Sequence, residues 1–195
     1  MALGGIVRGT RTTLRTPTES DLPMIARWVA DMRVRHATRV WHEPAMPATW
    51  KERFTEQTKD KGSVLWGIDV DGKLVGMAIV SWGWEPRRDT SHIEHFLVDP
   101  DEWHQGYGAD AALALHRYLF DYLDLRRVGL DIHADNTYAR RIADRLGYVE
   151  YARGHDARYR DGSYTDSVQL LMERATWDER WGAAHREYAP LESRS

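Results

Sequence analysis

Cysteine is absent from the 195 residues. That absence excludes disulfides, thiolate zinc sites and any thiol nucleophile, so chemistry on this chain runs without a cysteine-bound intermediate. Charge of one sign is not in excess: 27 Lys and Arg stand against 30 Asp and Glu, a formal net charge of −3. With no long basic run either, a nucleic-acid partner is not expected. No apolar segment is long enough to span a bilayer, so no membrane partner is expected. The opening MALGGIVRGTRTTLR lacks the apolar core of a secretion signal, and the expected location is the cytoplasm. Repeats, low-complexity tracts and linkers are missing too. What is present is 42% hydrophobic and 29% charged residues, the balance of an ordered chain, at a length that suits one domain over 1–195.

Residues 11–16 are short and β-rich and read as a strand. From Thr18 to Met32, the cap candidates Thr18 and Ser20 precede Leu22, Ile25, Trp28, Val29 and Met32 at helical spacing. Residues 33–47, with two prolines, read as irregular, and 49–59 as a weaker helix. Residues 63–84 read as two strands joined at Asp71-Gly72, a strong hairpin signal. A turn over 85–90 leads to a strand, SHIEHFLV, over 91–98. A helix from about Gly108 to Leu123 and a strand over 126–134 follow. The next helix is capped by Asp135 or Asn136, shows Ala139, Ile142, Ala143 and Leu146 on one face, and stops at Gly147. A second hairpin turns at Asp161-Gly162. From Ala175 the tail is expected to add a short helix around Trp181 and then fray. The order β-α-α-β-β-β-α-β-α-β-β describes one mixed α/β domain.

The stretch DPDEWHQGYGADA, residues 99–111, ends an apolar run and opens a helix. It reads as an ordinary loop or as an anion site. GYGADA fits the loose dinucleotide pattern G-x-G-x-x-A, but DPDEWHQ intervenes between Val98 and Gly106, and the flanking strands form hairpins rather than βαβ units. A pyrophosphate cradle of another kind fits better. A helix N-terminus presents free N–H groups and partial positive charge, and glycine lets the backbone come close to an anion. The amides of Gln105, Gly106, Tyr107, Gly108 and Ala109 would then face one phosphate group.

The same stretch resembles the cofactor loop of GNAT-superfamily N-acetyltransferases, in the form DPxxWGxGYxTEA of the branch that resembles ribosomal-protein N-terminal acetyltransferases. Trp103 stands where the general signature has Arg or Gln, His104 where that branch has glycine, and Ala109-Asp110 where it has Thr-Glu. The resemblance extends to TLRTPTESDLPMIARWV and to HADNTYARRIADRLGYVEYARGHDARYRDGSYTDSVQLLM, covering about 10–173 and leaving 174–195 as a tail. It implies a GNAT-like, mostly antiparallel central sheet of about seven strands flanked by about four helices. It implies acetyl-CoA as acetyl donor and transfer to a primary amine, either a protein N-terminal α-amine or a small-molecule amine. Without a thiol, transfer is expected to be direct, in a ternary complex. A non-catalytic acyl-CoA-binding or sensing domain on the same fold is the alternative, and a homodimer is left open.

Within that resemblance SHIEHFLV takes the place of the family's fourth strand, whose splayed end holds the pantetheine by backbone pairing. This implicates Phe96, Leu97 and Val98. Alternation puts Ile93, His95 and Leu97 on one face and His92, Glu94, Phe96 and Val98 on the other. Glu94 is the candidate general base, with His92 in reserve. An acid amid Ile93, Phe96 and Leu97 needs a reason, because burying an unpaired charge is costly; ordinary hydrogen bonding is the plainer role for both. The cofactor is expected at Trp103, His104, Gln105, Gly106, Tyr107, Gly108, Ala109, Asn136 and Arg141. For Asn136 helix capping is explanation enough by itself, and solvated surface is the plainer role for Arg140 and Arg141. No metal site is expected. The tyrosine that serves many GNAT enzymes as general acid, four residues before the helix-ending glycine, is replaced by Ala143, and no motif points to Tyr148, Tyr159 or Tyr164 instead. Of nine tryptophans, Trp41, Trp82 and Trp84 fall where an acceptor pocket is expected, with core packing as the alternative.

Overall fold

The computed structural model describes residues 5–38, 47–59, 62–82, 89–160 and 162–182. Trp41, Trp84, Asp161, most of the turn after the first hairpin and the end of the tail lie outside them. Among the described residues eight strands are present: β1 (Val7–Arg8), β2 (Thr13–Arg15), β3 (Ser63–Val70), β4 (Lys73–Trp82), β5 (Thr90–Val98), β6 (Arg127–His133), β7 (Val149–Arg160) and β8 (Ser163–Glu173). The helices are α1 (Leu22–Ala30), α2 (Met32–Ala37), α3 (Pro47–Lys59), α4 (Tyr107–Arg117), α5 (Thr137–Leu146) and α6 (Arg174–Trp177). The strands form one sheet in the order β1-β2-β3-β4-β5-β6-β8-β7. β1–β2, β2–β3, β3–β4, β6–β8 and β7–β8 pair antiparallel, and β5 and β6 run parallel. The expected mixed α/β class with a mostly antiparallel sheet is therefore observed, with eight strands among the described residues where about seven were expected and six helices where about four were.

The chain groups into two compact units. One holds the described parts of Met1–Ser81 and of Glu94–Leu115, the other those of Trp82–Ile93 and His116–Ala189. In the first, the β3–β4 hairpin turns on Asp71 (φ 51°) and Gly72 (φ 83°). Two successive positive φ values match the right-handed strand twist and explain the strength of the Asp-Gly signal. Its core joins Ile25, Trp28 and Val29 of α1 and Val34 of α2 to Leu74, Met77 and Ile79 of β4 and Leu97 of β5. Burying an aliphatic side chain of this size contributes about 1.5–3 kcal/mol. The expected single helix to Met32, followed by irregular chain, is corrected here. Asp31 is extended (ψ 121°), its carboxylate accepts from the Arg33 amide, and the chain restarts as α2 through Ala37. An aspartate at such a break satisfies an amide that a helix start leaves open.

In the second unit β6 pairs with β8 and β8 with β7. Asn136 caps α5 by accepting from the Ala139 amide, and Gly147 ends it at φ 113°. The tail expected to add a short helix around Trp181 is helical over 174–182 and contributes to an aromatic core. Trp177 is fully buried, stacked on Phe120 with ring centroids 5.4 Å apart, and its Nε1 donates to Asp121 at 2.7 Å. Trp181 stacks on Trp177 and donates to the Leu146 carbonyl at 3.0 Å.

Candidate functional site

The loop from Val98 to α4 is held at both ends. At its start, Asp99 is buried, and its amide donates to the Val75 carbonyl of β4 at 2.7 Å. Its carboxylate caps a 3₁₀ turn over Pro100–Glu102 and pairs with Arg27 of α1 at 3.1 Å. Burial works against the ionised form of Asp99, but the hydrogen bonds it accepts and the Arg27 charge more than offset that and hold its pKa below the ordinary aspartate value. Trp103 then folds back, its indole Nε1 donating to the Val98 carbonyl at 2.8 Å. In this way the indole closes the loop on the strand it leaves.

Two residues before α4 take left-handed backbone: His104 (φ 64°) and Gly106 (φ 83°). At His104 the departure from the branch's usual glycine falls where glycine is conformationally favoured, and histidine is among the residues that tolerate that region. Gly106 delivers the chain into α4, whose first three residues, Tyr107, Gly108 and Ala109, carry N–H groups without intrahelical acceptors. Of the five amides singled out from the sequence, those of Tyr107, Gly108 and Ala109 stand in the first turn of α4, and Gln105 and Gly106 lead into it.

Three residues that the sequence reading passed over complete this region. The Asp110 carboxylate accepts from the amides of Thr10 (2.9 Å), Arg11 (3.0 Å) and Thr12 (2.9 Å) and from the Thr12 hydroxyl (2.7 Å). Arg11 donates through Nη1 to the Gln105 carbonyl and lies 5.0 Å from the Tyr107 ring centroid. Gly76 of β4 lets β5 approach closely: a Cβ there would sit 2.4 Å from the Leu97 carbonyl oxygen. Gly76 alone carried a local signal, a glycine inside a strand pattern. The other two depend on segments about a hundred residues apart.

Gly76 also sorts the backbone groups of β5. Carbonyls of successive strand residues point to opposite edges. With the Leu97 carbonyl facing Gly76, the groups of Phe96 and Val98 lie on the other edge. The Leu97 side chain is in the core. Glu94 is exposed rather than buried, so the premise that its burial demanded a function is corrected. Its Oε1 accepts from the Ser81 hydroxyl of β4 at 2.6 Å. His92 is half-buried in the other unit, its Nδ1 3.1 Å from where a Cβ of Gly129 would stand, and glycine makes that room.

Asn136 is the α5 cap, as described. Arg140 is tied to Asp144 and Glu150, whereas Arg141 is exposed with no ion pair to a described residue. Ala143 is buried. Tyr148 is buried with its hydroxyl 2.6 Å from His116 Nε2, and burial pushes its pKa well up. Tyr159 and Tyr164 are exposed and meet edge to face, 5.1 Å apart. Trp82 is half-buried at the end of β4. Among the described residues no three His, Cys, Asp or Glu side chains group so as to hold a metal ion, and no helix is long and apolar enough to cross a membrane.

A strand, a glycine-bearing loop and a helix start with open amides are arranged here as the sequence resemblance implied, and comparison decides the family. The model of the acetyltransferase (GNAT) domain matches residues 11–149. The chain belongs to the GNAT acetyltransferases. The match runs from Arg11 through the loop, α4 and α5 to the first residue of β7. A relative from Bacillus subtilis (strain 168), "Putative ribosomal N-acetyltransferase YdaF", is 24% identical over 166 residues, covering 80% of this chain and 90% of the relative. Among solved structures, spermidine N-acetyltransferase from Vibrio cholerae in complex with CoA and spermine is 16% identical with a TM-score of 0.77, covering 86% of this chain and 98% of that one. RimL, a ribosomal L7/L12 alpha-N-protein acetyltransferase in complex with coenzyme A, is 17% identical with a TM-score of 0.75, covering 86% and 97%. At these identities the structures speak for the fold.

Proposed function

We propose that this GNAT enzyme is an acetyl-CoA-dependent N-acetyltransferase that moves the acetyl group directly to a primary amine in a ternary complex. The observation that carries the donor is the left-handed Gly106 immediately before the open amides of Tyr107, Gly108 and Ala109. Positive charge without side chains is what a diphosphate needs, and the loop's two anchors, Asp99 and Trp103, hold it ready before binding. Two fold neighbours in complex with CoA support the same donor. We assign the donor's diphosphate to the amides of Gln105 to Ala109, and the amides of its pantetheine arm to the backbone of Phe96 and Val98.

The bound thioester supplies an activated acetyl carbon, and the chain has to provide a neutral amine. Glu94 is the proposed base. Ser81 holds Oε1 and leaves Oε2 to take a proton from the incoming ammonium, directly or through one water. The amine nitrogen then bonds the acetyl carbon, the carbon–sulfur bond breaks, the nitrogen gives its second proton to solvent to leave the neutral amide, and the departing thiolate takes a proton from solvent. No tyrosine acid is invoked, since Ala143 replaces it and the Tyr148 hydroxyl is engaged by His116. The acceptor is a protein N-terminal α-amine or a small-molecule amine, the two kinds that the relatives' names include. Thiol release from acetyl-CoA against a panel of polyamines, small amines and N-terminal peptides tests the reading. Turnover with intersecting initial-rate plots is expected. Acetyl-CoA binding without turnover on any amine would favour the non-catalytic alternative, and parallel lines would overturn direct transfer.

A further inference from the structure

We propose that Arg11 and Asp110 form a brace that sets the loop's affinity for the donor's diphosphate, with Arg11 as its positioning residue. This rests on the diphosphate assignment above and goes beyond it, because neither residue is among those assigned to the donor.

Asp110 is in the first turn of α4, and its carboxylate is surrounded by the turn between β1 and β2. Three consecutive amides, Thr10 to Thr12, and the Thr12 hydroxyl all donate to it. The approach is so close that a Cβ on Gly9 would stand 2.3 Å from Asp110 Oδ2. A carboxylate beside an anion site is a liability unless its charge is engaged; four donors engage it and fasten the turn to the helix. The fastened turn presents Arg11. Its guanidinium covers the three residues that lead into the helix: it donates to the Gln105 carbonyl, lies against Tyr107, and its Nη1 stands 3.2 Å from where a Cβ of Gly106 would be.

The consequence follows from the planarity of the peptide bond. The Gln105 carbonyl and the Gly106 N–H lie in one plane and point in opposite directions. Glycine leaves rotation of that plane unusually free. A guanidinium that draws the carbonyl to one side therefore turns the Gly106 N–H to the other, among the amides assigned to the diphosphate. The same cation adds charge favourable to an anion without leaving the carbonyl.

Three measurements decide the matter. CoA binding to the wild-type protein comes first, by calorimetry; its absence would overturn the diphosphate assignment itself rather than the brace. Given that binding, Arg11→Gln is expected to weaken CoA about tenfold, the loss of one hydrogen bond to a charged group. At saturating acetyl-CoA its kcat should stay near wild type, with the effect confined to KM. S-acetylpantetheine, which has no diphosphate, should serve Arg11→Gln and wild type equally well. Unchanged CoA binding in Arg11→Gln, or an equal loss with S-acetylpantetheine, would overturn the proposal. Asp110→Asn separates a brace from simple charge. Removing a negative charge near an anion would by itself tighten CoA binding, whereas loosening a brace weakens it. Tighter binding in Asp110→Asn refutes the brace; should that variant not fold, the Arg11→Gln comparison stands alone.

Discussion

Alanine at Gly106, set against alanine at Gly72, separates the strain of a left-handed backbone from the function of the loop. Both glycines have φ 83°. A Cβ at Gly72 meets nothing within 4 Å, and one at Gly106 meets only the guanidinium end of Arg11 at 3.2 Å. An L-residue pays about 1–2 kcal/mol in this region, and the reduced freedom of the unfolded chain returns about 0.4–1 kcal/mol. Each substitution should thus cost about 1 kcal/mol, a fall in Tm of about 2–4 °C for a chain of this size. Binding should diverge. Gly72→Ala leaves the loop alone and keeps wild-type affinity for CoA. Gly106→Ala relaxes the strain by rotating the backbone and turns an amide away. A hydrogen bond to a charged group contributes about 1.5–3 kcal/mol, so affinity should drop about 10- to 100-fold. Differential scanning fluorimetry gives the first quantity and calorimetry with CoA the second. If both variants lose equal Tm and Gly106→Ala still binds CoA as tightly as wild type, the loop amides do not hold the diphosphate. If Gly72→Ala loses affinity to the same degree, the effect is global.

Glu94→Gln is expected to keep CoA affinity and lower kcat by about 10²–10⁴ near neutral pH, with the loss shrinking at high pH as solvent deprotonates the amine; turnover at the wild-type rate would remove Glu94 from the chemistry and make His92 the next residue to replace. Acid stability should depend on Asp21, whose carboxyl is held below the ordinary aspartate value by its hydrogen bonds from Arg15, with burial opposing and Thr18 assisting. A folded pKa below the unfolded one, about 3.9, means stability that is present above that value and lost as pH falls through the lowered one. The Tm gap between wild type and Asp21→Asn should accordingly narrow from neutral pH toward pH about 3; a gap independent of pH would show that geometry rather than charge is at stake.

Much of the fold was legible because its signals are local. Asp71-Gly72 marked its hairpin through the φ values those residues accept, and the span from Asn136 to Gly147 marked α5 through a cap, an apolar face and a stop. The loop and its five amides were legible for the same reason, as glycines between a strand and a helix. The break at Asp31 was not, since Leu22 to Met32 keep helical spacing across it and only the cap geometry ends α1. The two-residue strand β1 carries too few residues for any periodicity. Trp177 looked like tail because its burial depends on Phe120 and Asp121, more than fifty residues away. Glu94 looked buried because its neighbours are apolar, yet alternation in β5 turns it outward to Ser81. The sequence by itself determined most of the elements, the family and the place of the glycine loop. Only the tertiary structure decided what holds that loop, because the amides of Thr10 to Thr12 reach Asp110 across about a hundred residues of chain. Periodicity and capping act within a few residues, whereas a hydrogen bond between distant segments forms only once packing has brought them together.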